Sequence, residues 1–213
     1  MKEYEKINTV YERATDGSKK LIDGLYRDGT VEYLSNNLWE WTEKVDGTNV
    51  RVCWDGHNVS FRGRTDRAQM PPELLEKLNE LFGGETNAQI FEQLFGEKEV
   101  ILFGECYGRK IQKVGASYIP NGVDFILFDV CVGETYLQRG AVEELGEAFG
   151  VKVVPVVLIG TVDDAISYVK KEPESRLAHV TMEGLVGRPI YELKDRRGNR
   201  IILKIKVRDF KDD

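Results

Sequence analysis

Residues 39–54 read WEWTEKVDGTNVRVCW, and this stretch decides the kind of fold that the chain adopts. Apolar and polar residues alternate on both sides of Asp46-Gly47, with Trp39 and Trp41 before it and two valines after it. Alternation with a period of two is typical of half-buried β-strands, and Asp-Gly is a turn dipeptide. The stretch therefore predicts two strands joined by a bend, with Lys44 at the end of the first strand.

On either side of this stretch, strands and helices follow one another without strict βαβ alternation. Apolar stripes at helical spacing predict helices, and apolar runs rich in β-branched residues predict buried strands. The predicted strands lie within Leu38–Phe61 and at Val100–Tyr107, Phe125–Val132, Leu185–Val186 and Arg200–Val207. The predicted helices are Pro71–Phe82, Glu85–Phe95, Ala141–Phe149 and Asp163–Lys171. This order favours an α+β fold, with antiparallel sheets flanked by helices, in one domain over residues 1–213.

Bulk composition limits the possible environments and partners. The chain has 213 residues, 41% of them hydrophobic, and a net charge of −6, which alone argues weakly against a nucleic-acid partner. Residues 188–208 nevertheless hold eight basic and two acidic residues, a local charge of +6. We expect no signal peptide and no membrane segment. Cys53, Cys106 and Cys131 match no zinc or disulfide pattern, so we expect them to be buried and reduced, and the protein to be cytoplasmic.

Lys44 is the residue in the decisive stretch that could carry chemistry. A lysine attacks an electrophile only as the neutral amine, which burial or neighbouring positive charge favours. By itself, however, Lys-x-Asp-Gly is a weak signal, since it arises by chance in about one chain of this length in twenty. The competing interpretation is a surface hairpin whose lysine is solvated.

Six short motifs occur in order and change that balance. They are Lys44-Val45-Asp46-Gly47-Thr48-Asn49, Arg62-Gly63-Arg64, Phe103-Gly104-Glu105, Phe125-Ile126-Leu127-Phe128-Asp129, Glu183-Gly184-Leu185-Val186 and Lys204-Ile205-Lys206. With these motifs the chain resembles the covalent nucleotidyltransferases, which comprise polynucleotide ligases and mRNA capping enzymes. It is most similar to the phage-type RNA ligases that seal nicked double-stranded RNA, and the resemblance implies the fold of a ligase adenylation domain.

The resemblance implies a three-step, ATP-dependent ligation of RNA. Lys44 would form a lysyl-AMP, the AMP would move to a 5′-phosphate end, and a 3′-hydroxyl would then form the phosphodiester. Cations must meet the charge that develops on the phosphates. Lys204 and Lys206 alternate on a predicted strand, so they share a face and suit this task. The alternative for this pair is an ordinary solvated strand edge.

The resemblance also implies a divalent metal, Mg²⁺ or Mn²⁺. Glu183 is the expected ligand, through water, since Mg²⁺ keeps several of its waters. Asp46 either helps to bind the metal or caps the turn, and we weigh these two roles equally.

Further motif residues are expected to bind the nucleotide. Glu105 would accept hydrogen bonds from the ribose, although a surface glutamate at a strand end is the alternative. Arg64 would contact ribose or phosphate. Phe125 is preferred over Phe128 as the aromatic that stacks on adenine, and the two should point to opposite faces. Glu43 is expected to meet the base edge through its backbone.

Nucleic-acid contacts are expected from several polar and basic residues. Asn49 would contact a phosphate or the nick, and Arg62 and Arg64 the strand backbone. The Lys113–Tyr118 loop and a basic run are further candidates, the latter consisting of Lys194, Arg196, Arg197 and Arg200. A solvated hairpin is the alternative for the basic run.

Three alternatives for the whole chain stay open. It could be a minimal DNA ligase, a guanylyltransferase, or a non-catalytic nucleotide- or RNA-binding module. The sequence after Lys206 is short, so we expect a catalytic domain with no appended OB or helical domain. Sealing would then be either slow or assisted by an accessory chain that supplies end recognition. We expect an RNA partner, in a nicked duplex or as free ends, and no membrane partner.

Overall fold

The computed structural model describes residues 2–18 and 20–210. The strands are β1 Asn8–Thr9, β2 Tyr11–Arg13, β3 Leu21–Tyr26, β4 Trp39–Lys44, β5 Thr48–Trp54, β6 Val59–Gly63, β7 Val100–Gly108, β8 Val123–Val132, β9 Thr135–Tyr136, β10 Lys152–Val153, β11 Val156–Gly160, β12 Gly184–Pro189 and β13 Leu203–Lys206. The helices are α1 Gly29–Leu34, α2 Pro72–Phe82, α3 Gly84–Phe95, α4 Gly115–Tyr118, α5 Arg139–Ala148 and α6 Val162–Val169, with a 3₁₀ turn at Val207–Asp209. No helix in these ranges is long and apolar enough to cross a membrane.

The described residues form two compact units, each with its own sheet and core. The first unit contains residues 2–4 and Asp46–Val154, and the second contains Glu5–Val45 and the residues from Pro155 onward. The chain passes from the second unit to the first between Val45 and Asp46, within the Lys-x-Asp-Gly motif. Whether the two units act as the one domain expected from the sequence stays a prediction.

The first unit is a six-stranded sheet with helices packed on one face. Its order is β10-β8-β7-β5-β6, with β9 paired to β8, and every pairing is antiparallel except that of β10 with β8. Side chains from α2, α3 and α5 fill the core, with Leu78, Phe91 and Leu145 as examples. The apolar stripes of these helices meet Val50 and Val52 of β5, because alternate residues of a strand share a face.

The second unit is a five-stranded sheet, ordered β1-β13-β12-β4-β11, with a separate β2–β3 hairpin. Trp39 and Trp41 of β4 are fully buried and stack at a centroid distance of 5.6 Å. Their indole nitrogens donate to the carbonyl oxygens of Leu34 and Gly160, so neither buried ring leaves a polar atom unsatisfied. Helix α6 begins with a capping box formed by Thr161 and Asp164.

The α+β class, with antiparallel sheets flanked by helices, is confirmed. The predicted helices and the predicted strands in the middle of the chain are present with small shifts at their ends. The last strand is shorter than predicted and begins at Leu203, because Arg200 instead bridges to Lys194 within a separate hairpin. The three cysteines are buried with free thiols, as expected.

The elements before Trp39 were not predicted from the sequence. Strand β3 has four exposed residues out of six, so it lacks the alternation that marks a half-buried strand. Strand β1 has two residues and is held by parallel pairing with β13, 195 positions away in the sequence. Such long-range pairing leaves no local signal.

Gly104 provides a test of how tightly the first core is packed. A Cβ atom at residue 104 would overlap the ring of Phe125, so we expect Gly104→Ala to lower the free energy of unfolding by about 1–3 kcal/mol. Gly140→Ala is the matched control, because no atom lies within 4 Å of a Cβ atom there and it lies in the first turn of α5. It should stabilise the protein by up to about 1 kcal/mol. Urea denaturation measures both values, and equal stability of the two variants would contradict this packing.

Candidate active site

Lys44 is the last residue of β4, and its amine meets a carboxylate beside the neighbouring strand. In register, Lys44 lies opposite Gly184 of β12, which lies opposite Lys206 of β13. Lys44 Nζ donates to Glu183 Oε2 at 2.6 Å, and Lys206 Nζ donates to Glu183 Oε1 at 2.5 Å. The side chain of Lys44 is 22% exposed and the other two are 15% exposed. We call Lys44, Glu183 and Lys206 the lysine cluster. All three were predicted as catalytic from the sequence, and the structure brings them into contact.

Gly184 explains how Glu183 reaches both lysines. Its φ angle is +154°, and a Cβ atom at this position would overlap the carbonyl oxygen of Ile205. The Val207 amide also donates to the Glu183 carbonyl oxygen at 3.0 Å. Glycine is therefore required for β12 to begin this close to β13, and this approach holds Glu183 beside Lys206.

Lys204 lies on the same sheet face as the cluster. Leu203 and Ile205 are buried in the core, whereas Lys204 and Lys206 are partly exposed, so the predicted alternation is confirmed. Lys204 pairs in register with Thr9 of β1 and Val186 of β12.

The side chain of Glu43 has a structural role that the sequence analysis did not predict, and the expected contact of its backbone with a base edge stays a prediction. Its side chain is 1% exposed and points into the second unit, where it accepts hydrogen bonds from the Ser175 hydroxyl at 2.5 Å and the Arg176 amide at 2.8 Å. Burial raises the pKa of the Glu43 carboxyl, against the effect of these two hydrogen bonds. Its own amide donates to the Pro155 carbonyl oxygen, so this N–H is not available to a base edge. Glu43 instead ties β4 to the segment that leads into Glu183.

In the first unit, Asn49 and Glu105 lie side by side on the sheet face opposite the helices. Asn49 of β5 pairs in register with Glu105 of β7, which pairs with Ile126 of β8. Within the described part of the chain, Asn49 Oδ1 is buried without a hydrogen-bond partner. A buried acceptor of this kind usually has a partner, so the atom is a candidate ligand contact. We call the sheet face that carries Asn49 and Glu105 the polar face.

Phe125 is a correction to the sequence-based prediction. It is fully buried, and its ring lies over Gly104 and packs edge-on against Phe82 at 5.2 Å. A ring enclosed by the core offers no face to a base, so the choice of Phe125 as the adenine-stacking aromatic is not supported. The prediction that Phe128 points to the other side is confirmed, since it packs against Tyr4 at 5.0 Å.

Arg51 is a residue that the sequence analysis missed. It is fully buried on β5, two residues from Asn49 on the same face, and donates to the Gly63 carbonyl oxygen and to Asp66. Asp66 also pairs with Arg62 at 3.2 Å, so this carboxylate holds two guanidinium groups, which keep its pKa below the usual value. Arg64, which lies between Arg62 and Asp66 in the sequence, is exposed. The sequence offered one sign of Arg51: it is a charged residue two positions after Asn49, so the two side chains share a face of the strand.

Asp46 and Gly47 follow Lys44 closely in the chain and belong to the first unit. A Cβ atom at Gly47 would overlap the Cys106 carbonyl oxygen and the Glu105 Cγ atom, so this glycine lets the chain pass close to β7. Its carbonyl oxygen accepts a hydrogen bond from the Gln112 side chain at 3.0 Å. The expected metal ligands, Asp46 and Glu183, fall in different units. Among residues 2–18 and 20–210, no group of three or more acidic, His or Cys side chains could hold a metal.

The part of the chain that carries these motifs matches a known protein family. The family model for RNA ligase matches residues 37–206, which include the lysine cluster, the polar face and most of both sheets. The chain belongs to the RNA ligase family. The resemblance found in the sequence is thereby confirmed.

Solved structures of Naegleria gruberi RNA ligase share the fold of this family member. A variant with ATP and Mn matches with a TM-score of 0.64 at 20% identity, over 83% of this chain and 52% of the other. A variant with AMP and Mn gives 0.63 at 20% identity over the same shares, and an apo variant gives 0.64 at 18% identity over 98% and 63%. The chain thus spans about half the length of the first two. No curated protein matches it.

The predicted nucleic-acid contacts of this RNA ligase family member fall into two groups. Lys113 and Arg196 with Arg197 are exposed, the two arginines on a turn where Asp195 accepts the Arg197 and Asn199 amides. Their contact with nucleic acid stays a prediction. Arg200 differs, because it is 8% exposed and its guanidinium lies 3.0 Å from Glu192. Arg200 is a structural residue of the hairpin, not a surface contact.

The Glu43 contacts generate a stability prediction. We expect Glu43→Ala to lower the free energy of unfolding by about 3 kcal/mol, since the Ser175 hydroxyl and the Arg176 amide then lack their acceptor. Glu40→Ala, on the same strand but partly exposed, should cost less than about 0.5 kcal/mol. Chemical denaturation at constant pH measures both, and similar losses would contradict a special role for Glu43.

The raised pKa of Glu43 adds a pH dependence. A carboxyl whose pKa is higher in the folded state contributes stability below the unfolded value of about 4.5 and loses it as pH rises through the folded value. The side chain of Glu43→Gln does not titrate. Its unfolding free energy should therefore fall less than that of the wild type as the pH rises from about 4 to about 8, across the range in which the Glu43 carboxyl ionises. Parallel profiles would show that Glu43 titrates normally.

Proposed function

We propose that this chain is the catalytic part of an ATP-dependent RNA ligase that forms a covalent lysyl-AMP on Lys44. The observation that carries the proposal is the lysine cluster, in which the motif lysine, the motif glutamate and Lys206 meet within hydrogen-bond distance. Family membership supports the reaction, and the Naegleria gruberi enzymes of the same fold were solved with ATP or AMP and Mn.

In the first step, the Lys44 amine attacks the α-phosphate of ATP. A P–N bond forms, the P–O bond to the β-phosphate breaks, and pyrophosphate leaves with the electron pair of that bond. The amine must lose a proton, and Glu183 Oε2 is the acceptor in place at 2.6 Å. Lys206 and Lys204, on the same face, supply positive charge for the phosphate oxygens.

The second unit offers one carboxylate, that of Glu183, to a divalent metal. Mg²⁺ is commonly held by one or two carboxylates together with substrate phosphates and water. Glu183 provides one such carboxylate, and its two oxygens keep acceptor positions beyond those used by the two lysines. When bound, Mg²⁺ or Mn²⁺ would neutralise phosphate charge. Asp46 remains a second proposed ligand.

The polar face carries the proposed nucleotide and strand contacts of the first unit. Glu105 is proposed to accept from ribose hydroxyls, and Asn49 has a buried acceptor that lacks a donor among the described residues. Arg64 is exposed and suited to forked contacts with phosphate oxygens. Arg62 is partly held by Asp66, which orients its guanidinium.

In the later steps, AMP passes to a 5′-phosphate and a 3′-hydroxyl displaces it to form a phosphodiester. RNA, as a nicked duplex or as ends, is the proposed substrate, and Lys113, Arg196 and Arg197 are proposed backbone contacts. An accessory chain that supports end recognition is a further part of the proposal. A cytoplasmic location stays a prediction.

Covalent labelling tests the first step directly. With ATP and Mg²⁺, the purified protein should gain the mass of AMP, and Lys44→Ala should gain none. Glu183→Gln should slow labelling on the order of 100-fold or more, because the proton acceptor is lost. Lys98→Ala, an exposed lysine of the first unit, is the control and should label at the wild-type rate. Intact mass spectrometry measures all four proteins, and labelling of Lys44→Ala would overturn the proposal.

The same assay separates the alternatives. Labelling by GTP instead of ATP would indicate a guanylyltransferase, and ATP binding without labelling would indicate a binding module. Nicked RNA, RNA–DNA and DNA duplexes with a 5′-phosphate then distinguish an RNA ligase from a DNA ligase.

A further inference from the structure

A cavity of about 860 Å³ lies in the second unit where three segments of the chain meet. The segments are residues 5–8 at β1, residues 28–31 at the start of α1, and residues 195–197 with 199–203, which lead into β13. Cavities that bind one small organic molecule have volumes of about 300–1,000 Å³. The space is therefore large enough for a whole nucleotide, and a phosphate group alone would fill only part of it.

The acidic side chains on the cavity wall are all engaged by backbone N–H groups. Glu5 accepts a hydrogen bond from one amide at 3.2 Å, and Asp28 accepts from two amides at 2.9 and 3.0 Å. Asp195 accepts from two further amides, at 2.8 and 2.9 Å. Charge-assisted bonds of this kind hold the three segments in shape, and the donors offset part of each negative charge.

The basic side chains on the wall are of two kinds. Arg200 is 8% exposed, and its guanidinium lies 3.0 Å from Glu192. Lys6, Arg196 and Arg197 are exposed, and within residues 2–18 and 20–210 none of their side chains makes a hydrogen bond or an ion pair. These three cations are open to an anionic ligand, and the two guanidinium groups suit forked contacts with phosphate oxygens.

The rest of the wall offers the surface that a base needs. Ile7 and Ile201 are partly buried and supply apolar contact. The side chains of Asn8 and Thr30 also line the cavity, and an amide or a hydroxyl can both donate to and accept from a base edge. Proteins that bind single-stranded RNA hydrogen-bond the edges of unstacked bases and stack the bases on rings or guanidinium planes. The cavity thus combines charge for a phosphate with surface for a base.

The cavity lies at the start of the strand that carries Lys206. Leu203 is both a wall residue and the first residue of β13, and it precedes Lys206 by three positions. Lys206 and Lys44 are two strands apart in register. Strand spacings of about 4.8 Å and a rise of about 3.3 Å per residue put the Leu203 and Lys44 backbones about 14 Å apart. An RNA strand that reacts at Lys44 can therefore place a nearby nucleotide in the cavity.

We propose that this cavity holds one unpaired nucleotide of the RNA substrate, with Arg196 and Arg197 at its phosphate and with Ile7 and Ile201 against its base. The inference rests on the proposed function and deepens it, because it specifies RNA that has a nucleotide outside the duplex near the end to be joined. A base inside an A-form duplex must lose its pairing and stacking before it can enter a cavity, whereas a single-stranded base need not.

A steric variant tests the cavity itself. Gly29 lines the cavity at the start of α1, and no atom lies within 4 Å of a Cβ atom added there. Gly29→Phe should therefore fold, and its ring should take up space that the base needs. We expect it to weaken the binding of fluorescently labelled single-stranded RNA about tenfold and to leave the binding of blunt duplex RNA unchanged. Fluorescence anisotropy at one fixed salt concentration measures both affinities.

Two controls accompany the steric variant. Gly29→Ala adds only a methyl group and should bind single-stranded RNA like the wild type. Gly140→Phe, in α5 of the first unit, also meets no atom within 4 Å of its Cβ position and should bind normally. Equal binding of single-stranded RNA by Gly29→Phe and the wild type would overturn the proposal.

A charge variant tests the phosphate contact. Arg196→Ala/Arg197→Ala should weaken the binding of single-stranded RNA by about tenfold or more, because charge-assisted phosphate contacts are lost. Lys171→Ala, an exposed lysine of the same unit outside the cavity wall, should bind like the wild type. The loss should be smaller for blunt duplex RNA. An equal loss on both RNAs would assign the arginines to the backbone of any RNA and contradict an unpaired nucleotide.

A third arm distinguishes RNA from free ATP as the source of the nucleotide. ATP is titrated by calorimetry into Lys44→Ala and Lys44→Ala/Gly29→Phe, so that no covalent product forms, and circular dichroism checks the folding of both. Equal affinities are expected, and weaker binding to the double variant would assign the cavity to ATP and overturn the proposal.

The anisotropy measurement also separates this inference from the proposed function, since RNA binding is measured without ATP. Loss of single-stranded RNA binding in Gly29→Phe supports the cavity even if Lys44 gains no AMP. Unchanged binding overturns the inference even if Lys44 labels normally.

Discussion

Glu183 lies between two lysine ammonium groups, and the arrangement of the second unit depends on that shared carboxylate. Two like charges on one sheet face, on the strands that flank β12, repel each other unless an anion lies between them. The register of β4, β12 and β13 puts Lys44 and Lys206 on either side of Gly184, and the residue before that glycine supplies the anion. With side chains only 15–22% exposed, the three charges are partly removed from water, so each depends on the others.

The rigidity behind this cluster comes from apolar packing on the other side of the same sheet. Trp39 and Trp41 stack beneath β4 with both indole nitrogens satisfied, and Leu185 and Ile205 continue that core under the neighbouring strands. A strand has only two faces, so burial of every second residue leaves the alternate residues for chemistry. The alternation of β13, with two buried apolar residues and two partly exposed lysines, shows this division clearly.

Buried charges in both units hold segments that carry exposed functional groups. Glu43 binds Ser175 and Arg176, which precede Glu183, and Arg51 binds the turn that carries Arg64. Each buried charge is matched by several hydrogen bonds, as burial of an ion requires. The cost of removing either partner is therefore high. These residues act through position, and none of them resembles a catalytic group in the sequence.

Sequence alone was enough to assign the α+β class, the longer helices and strands from Trp39 onward and the family, because those depend on local periodicity and ordered motifs. The short elements α4, β9, β10 and β11 were not predicted. The sequence also determined that Lys204 and Lys206 share a face. Only the tertiary structure decided that Glu183 pairs with Lys44, that Phe125 belongs to the core, and that Glu43 and Arg200 are structural. The physical reason is that burial and pairing across distant strands depend on register between segments far apart in the chain, which no local pattern encodes.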